Sequence, residues 1–163
     1  MICISSFITV PIPPLPVTLQ LLAVFLVLGV LGGRVGSGCV LLYLAIGAMG
    51  LPVFSGFSGG VGRLFDVGGG FLLGFLLGAV LYWMLDLCLP AFKFKRAALF
   101  CVVLLAVHLS GVLWYALVYS AEGSVLEGFM LLSLPYLPMD LVKLLAAALL
   151  SEKLSRTKII KNS

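Results

Sequence analysis

The chain has 163 residues, of which 63% are hydrophobic and 10% charged, with a mean hydropathy of +1.28. A soluble domain is nearer ~45–50% apolar and ~25% charged, so this chain cannot clothe a water-facing surface. A soluble enzyme, a nucleic-acid binder and a disordered tail are excluded, and the net charge of +4 is no nucleic-acid footprint. The class that remains is an all-α membrane protein: one compact transmembrane domain over residues 1–163, embedded in a lipid bilayer.

The first nine residues, MICISSFIT, are too short to cross a bilayer and lack the basic start of a signal peptide. They read as the end of a helix whose beginning lies elsewhere. Pro11, Pro13, Pro14 and Pro16 follow, and four prolines in six residues impose a stiff, extended segment. It is either a rigid connector or a preformed wall over a pocket, and composition by itself points to the connector. Apolar runs then predict spans over 17–32, 36–51, 69–90, 97–120 and 129–153. The second is short and is expected to extend into its flanks. The runs are continuous rather than alternating, which argues against a barrel.

Between the second and third spans lies a glycine-rich loop, Pro52 to Gly68, leading into Gly69, Gly70 and Phe71. Glycine at this density permits close backbone approach to a ligand. Phe54, Phe57, Phe65 and Phe71 offer apolar surface beside it. A flexible outer loop and a hinged lid are both compatible with this composition. No GxxxxGK[ST] phosphate loop is present. Gly70, Gly74 and Gly78 recur at i+4 and form a helix-packing stripe, and Gly29 and Gly33 read the same way.

Polar residues inside the apolar runs are few. Asp86 near Pro90 suggests interfacial pairing with a lysine. His108 suggests an interhelical hydrogen bond more than a proton relay. Tyr82, Trp83, Trp114, Tyr115 and Tyr119 read as interfacial anchors. The four cysteines lack metal or redox spacing and read as small packing residues. The most informative stretch is Leu134-Pro135-Tyr136-Leu137-Pro138-Met139-Asp140-Leu141-Val142-Lys143. Asp140 and Lys143 stand at i and i+3 on one face, at an insertion cost of ~2.5–3.5 kcal/mol each at a helix centre. They form either a self-satisfied ion pair, an N-cap after Pro138, or a ligand site needing one acceptor and one cation. The last is the default for ionisable residues within a membrane.

Basic residues set the orientation. Arg34, Lys93, Lys95, Arg96, Lys153, Arg156, Lys158 and Lys161 all fall on one side of a five-span topology, with Arg63 alone opposite. The positive-inside rule makes the basic side and the C-terminus cytoplasmic. Both unusual loops then lie on the outer face.

The ordered set PIPPLPVTLQ, LYLAIGAMGLPVF, GGGFLLGF and LPYLPMDLVK, over residues 9 to 155, resembles the BioY family, the biotin-specific substrate-binding subunits of energy-coupling factor transporters. The resemblance implies a six-helix subunit of the bacterial cytoplasmic membrane that captures biotin at its outer face. A transmembrane coupling subunit and two cytoplasmic ATPases would be its partners, with ATP hydrolysis on the latter and no cofactor or metal on this chain. It also implies that Asp140 and Lys143 contact biotin. Phe54, Gly59, Gly60, Gly69, Gly70, Phe71, Gln20 and Tyr136 complete the expected contact set. Two departures stand out. The family's first helix is a stub here, and its common GPTGGY reads Asp66-Val67-Gly68-Gly69-Gly70-Phe71. The competing readings are a subunit for another small carboxylated vitamin and a structural membrane subunit whose Asp/Lys couple only pairs with itself.

Overall fold

The structure is a computed structural model that describes residues 1–10, 15–90, 94–120 and 124–161, with side-chain surroundings to residue 154. Pro11, Pro13 and Pro14, Lys93 and Glu122 lie outside the described residues, as do the side chains of Arg156, Lys158 and Lys161. Seven helices occur among the described residues: α1 (Ile2–Phe7), α2 (Gln20–Leu31), α3 (Gly33–Ala48), α4 (Gly69–Cys88), α5 (Lys95–Val118), α6 (Val125–Gly128) and α7 (Leu137–Lys161). A small antiparallel ribbon pairs β1 (Thr9–Val10) with β2 (Val17–Thr18), in the register Thr9↔Thr18 and Val10↔Val17.

The helices pack in a ring in which α7 lies on α2, α2 on α3, α3 on α4, α4 on α5 and α5 on α7. Glycine sets the closest approaches. A Cβ at Gly74 would lie 2.9 Å from the Val107 Cα, and one at Gly78 would lie 2.9 Å from Val103 Cγ1. Gly70 likewise abuts Trp114 and the Ser110 carbonyl. The i+4 stripe is therefore the surface on which α5 rests. Gly29 meets Phe100 and Ser151, and Gly33 meets Trp83. Gly32 alone joins α2 to α3, at φ 82°, a left-handed value that favours glycine. Phe25, Phe100, Leu28, Val24 and Val103 fill the centre.

Two expectations need correction. The fifth span is not one helix over 129–153. Residues Phe129–Ser133 form a π-helical turn after α6, and α7 begins only at Leu137, bent 59° from the preceding segment. Pro138 enters in the first turn of α7, where its missing N–H costs nothing. The first two spans are also short, with 12 and 16 residues in α2 and α3. At ~1.5 Å per residue they reach roughly 18 and 24 Å, against a hydrocarbon core of ~30 Å. Among the described residues only α4, α5 and the bent pair ending in α7 have the length and apolarity of full crossings.

That loop is tied down rather than loose. Gly60 N–H donates to the Gly47 carbonyl (2.7 Å), Phe54 N–H to the Ser58 carbonyl (2.9 Å), and a 3-10 turn covers Val61–Leu64. Trp114 Nε1–H donates to the Asp66 carbonyl (3.1 Å) and the Tyr119 hydroxyl to that of Phe65 (2.7 Å). These two rings anchor the loop, whereas Tyr82, expected at an interface, is buried against Phe100. At the opposite end, Lys95 pairs with Asp86 (3.0 Å) and donates to the Asp86 and Leu89 carbonyls, closing the C-terminus of α4. Arg96 reaches the Ser151 carbonyl there.

Candidate functional site

Between the ribbon, the 52–68 loop and the upper ends of α2, α4, α5 and α7 lies a cavity of about 120 Å³. Leu21, Phe71, Leu72, Phe75, Val107 and Leu132 make its apolar wall, and Thr18, Gln20, Ser55, Arg63, Tyr136, Asp140 and Lys143 its polar points. Such a composition, mostly apolar with a few converging polar groups, is that of a small-molecule site.

Two buried charges line it. Asp140 and Lys143 are one turn apart on α7 and both are 9% exposed. Lys143 Nζ donates to Asp140 Oδ1 at 2.6 Å. Asp140 lies within the first turn of α7 rather than at its cap. The other carboxylate oxygen, Oδ2, is 3.2 Å from His108 Nε2 on α5, and His108 Nδ1 is 2.9 Å from the Ser133 hydroxyl on the π turn. Four buried side chains from three elements thus form one chain of polar contacts. The π turn and the bend after it bring Ser133 to the imidazole. Irregular helical turns of this kind recur at functional sites.

Gln20 is held by a second network. Its Nε2–H donates to the Tyr43 hydroxyl (2.6 Å), which donates to the Val53 carbonyl (3.2 Å), and the Ser6 hydroxyl donates to the same carbonyl (2.6 Å). The amide carbonyl and second N–H are what Gln20 has left to offer a guest. Tyr136 holds the roof: its hydroxyl donates to the Leu15 carbonyl (2.7 Å) and accepts from the Leu15 N–H (3.0 Å). Arg63 donates through Nε to the Ser58 hydroxyl (2.9 Å) and pairs with Asp66.

Of the contacts expected from sequence, the structure gathers Gln20, Phe71, Tyr136, Asp140 and Lys143 around the cavity. It does not bring Phe54, Gly59, Gly60, Gly69 or Gly70 to that lining. Phe54 is fully buried against Gly47 and Tyr43. Gly59 and Gly69 leave room for the Leu51 and Leu64 carbonyls, and Gly70 for α5. These glycines admit the protein's own backbone and side chains. Thr18, Ser55 and Arg63 were not foreseen at the site. Each is a single polar residue in a loop or ribbon, and only the folded path of the chain shows where it points.

Comparison with known proteins gives a consistent picture. The model of the BioY family matches residues 1–159. The biotin transporter BioY of Thermotoga maritima is 33% identical over 159 residues, covering 98% of this chain and 92% of the relative. Biotin transporter BioY2 of Lactococcus lactis is 35% identical over 154 residues, covering 92% and 80%. Among solved structures, the S-component for biotin from an ECF-type ABC transporter superposes with a TM-score of 0.82 over 95% of this chain and 85% of its own, at 23% identity. That likeness establishes a shared fold.

Proposed function

The chain belongs to the BioY family, and from that premise we propose that it is a membrane-embedded substrate-binding subunit that captures biotin for uptake. The observation that carries the reading is the buried Asp140–Lys143 couple lining a mostly apolar hollow. Biotin presents a ureido group with N–H donors and a carbonyl acceptor, one carboxylate, and an apolar ring and chain. Asp140 supplies an anionic acceptor for a ureido N–H, a charge-assisted bond. Lys143 supplies the cation for the carboxylate or the ureido oxygen. Phe71, Leu72, Phe75 and Leu132 enclose the apolar part.

The hollow, at about 120 Å³, is smaller than the ~300–1,000 Å³ typical of ligand pockets. Biotin therefore enters by lifting the roof, and the Tyr136–Leu15 hydrogen bonds are the latch that yields. The basic end carrying Arg34, Lys95, Arg96 and Lys153 faces the cytoplasm of a bacterial cell membrane, so the cavity opens outward. A transmembrane coupling subunit and two ATPases supply the energy, and ATP is hydrolysed on those partners. The test is equilibrium retention of labelled biotin by the purified protein in detergent. Binding by the native chain and its loss in Asp140→Asn and in Lys143→Ala are expected; no retention by the native chain refutes the reading.

A further inference from the structure

We propose that His108 is a positioning residue: it is the standby partner that holds Asp140 when Lys143 is drawn to the ligand. The inference rests on the biotin-capture reading above and adds a residue from a different helix to it.

The geometry begins with the proton on the imidazole. Nε2 lies 3.2 Å from Asp140 Oδ2. An unprotonated nitrogen there would set its lone pair against a carboxylate lone pair, so Nε2 carries the hydrogen. The Ser133 hydroxyl at 2.9 Å from Nδ1 complements that tautomer by donating to the other nitrogen. Phe71 meets the ring edge-to-face at 6.0 Å and fixes its plane against the cavity wall.

Although it is close to the carboxylate, Nε2–H makes no well-directed hydrogen bond and is shielded from solvent. Asp140 is turned toward Lys143, 2.6 Å away. A buried donor left unmet costs ~1–3 kcal/mol, so this arrangement holds a bond in reserve. When a guest oxygen competes for the Lys143 ammonium, Asp140 loses part of its partner. A small turn of the carboxylate then brings Oδ2 onto Nε2–H. The reserve bond offsets what the ion pair gives up, and Lys143 becomes available without a buried carboxylate being abandoned. Hydrogen bonds at binding sites commonly tighten only in the occupied complex.

The test separates the two imidazole nitrogens. In His108→Gln the terminal amide nitrogen falls near the Nε2 position, whereas in His108→Asn the shorter amide falls near Nδ1. His108→Leu keeps neither. Biotin affinity is measured by equilibrium dialysis of labelled biotin, and the ligand-free thermal midpoint on the same samples. His108→Gln is expected within about threefold of native, and His108→Asn and His108→Leu weaker by ~10- to 100-fold, the size of one charge-assisted bond. Ser133→Ala, a milder change that keeps the imidazole, is expected to weaken binding ~3- to 10-fold by releasing the tautomer. Two results overturn the proposal: native-like affinity in His108→Leu, or Gln and Asn variants that fall together in affinity and midpoint, as a purely structural histidine predicts. Absence of biotin binding by the native protein removes the function itself, and this role with it. Native binding with indifferent His108 variants removes only the role.

Discussion

Replacing Asp140 by Leu and Lys143 by Met, singly and together, separates a binding role for the couple from a purely structural one. Both side chains are buried and 2.6 Å apart. Removing one partner of such a pair typically costs ~3–5 kcal/mol, because the other charge is left unpaired. The two singles are not equivalent here. Lys143→Met leaves Asp140 with His108 at 3.2 Å. A charge-assisted bond of ~1.5–3 kcal/mol then recovers part of the loss, for a net of roughly 1–3 kcal/mol. Asp140→Leu leaves an ammonium whose anionic partner among the described contacts was Asp140 alone, so the full ~3–5 kcal/mol applies. The double replacement removes both charges and leaves the His108 N–H as unmet as it is in the native protein, so it costs little beyond repacking. Stability should therefore rank native and the double variant together, then Lys143→Met, then Asp140→Leu. Affinity follows a different order. Two charge-assisted contacts with biotin at ~1.5–3 kcal/mol each amount to a loss of ~150-fold or more in the double variant. Denaturant unfolding in detergent reads the first quantity, and labelled-biotin dialysis the second. A double variant that still holds biotin within about threefold refutes the binding role. Equal destabilisation by the two singles refutes His108 as the second partner.

Tyr136→Phe removes both hydrogen bonds to Leu15 while keeping the ring, so biotin should leave faster, by ~10-fold for a net ~1–1.5 kcal/mol; stopped-flow release showing no change would count against the latch. Gly74→Val drives a Cβ to 2.9 Å from the Val107 backbone and should cost ~1–3 kcal/mol or more by separating α4 from α5, whereas Gly38→Ala, with nothing within 4 Å, should be neutral or stabilising; melting of the two variants checks the contrast. Trp114→Phe deletes the donor to the Asp66 carbonyl, and hydrogen exchange over residues 61–68 should quicken by up to ~10-fold.

The parts of this fold legible in sequence are those fixed by local composition. The limits of α4 and α5 lie within two residues of the predicted spans, because glycine and charge end those apolar runs abruptly. The Asp86–Lys95 pairing follows from two charges near one interface. The break before α7 falls at Pro135, which has no N–H for a continuing helix. That residue alone does not give the π turn or the 59° bend, which bring Ser133 to His108 on another helix. The glycine-rich loop shows the same limit. Its composition announces close approach, but Gly59, Gly69 and Gly70 approach Leu51, Leu64 and Trp114 rather than the cavity. Side-chain size dictates how near two surfaces come; it does not say which two.

The half-length helices and the buried charges form one physical solution. Were α2 to begin a turn or two earlier, it would fill the space that Leu15, Val17 and Thr18 now line, and the cavity would close. Stopping the helix at Gln20 leaves extended backbone at membrane depth, where an unmet N–H or C=O is prohibitive. Among the described residues several such groups are met locally: β1 pairs with β2, Leu19 N–H donates to the Ile8 carbonyl, and Tyr136 takes both polar groups of Leu15. Tyr136 stands four residues before Asp140, and its carbonyl accepts the Asp140 N–H at 3.0 Å. The element that closes the roof is thus joined through one helical turn to the element that carries the charge. The turn that carries the charge is therefore also the turn that carries the roof's anchor to Leu15.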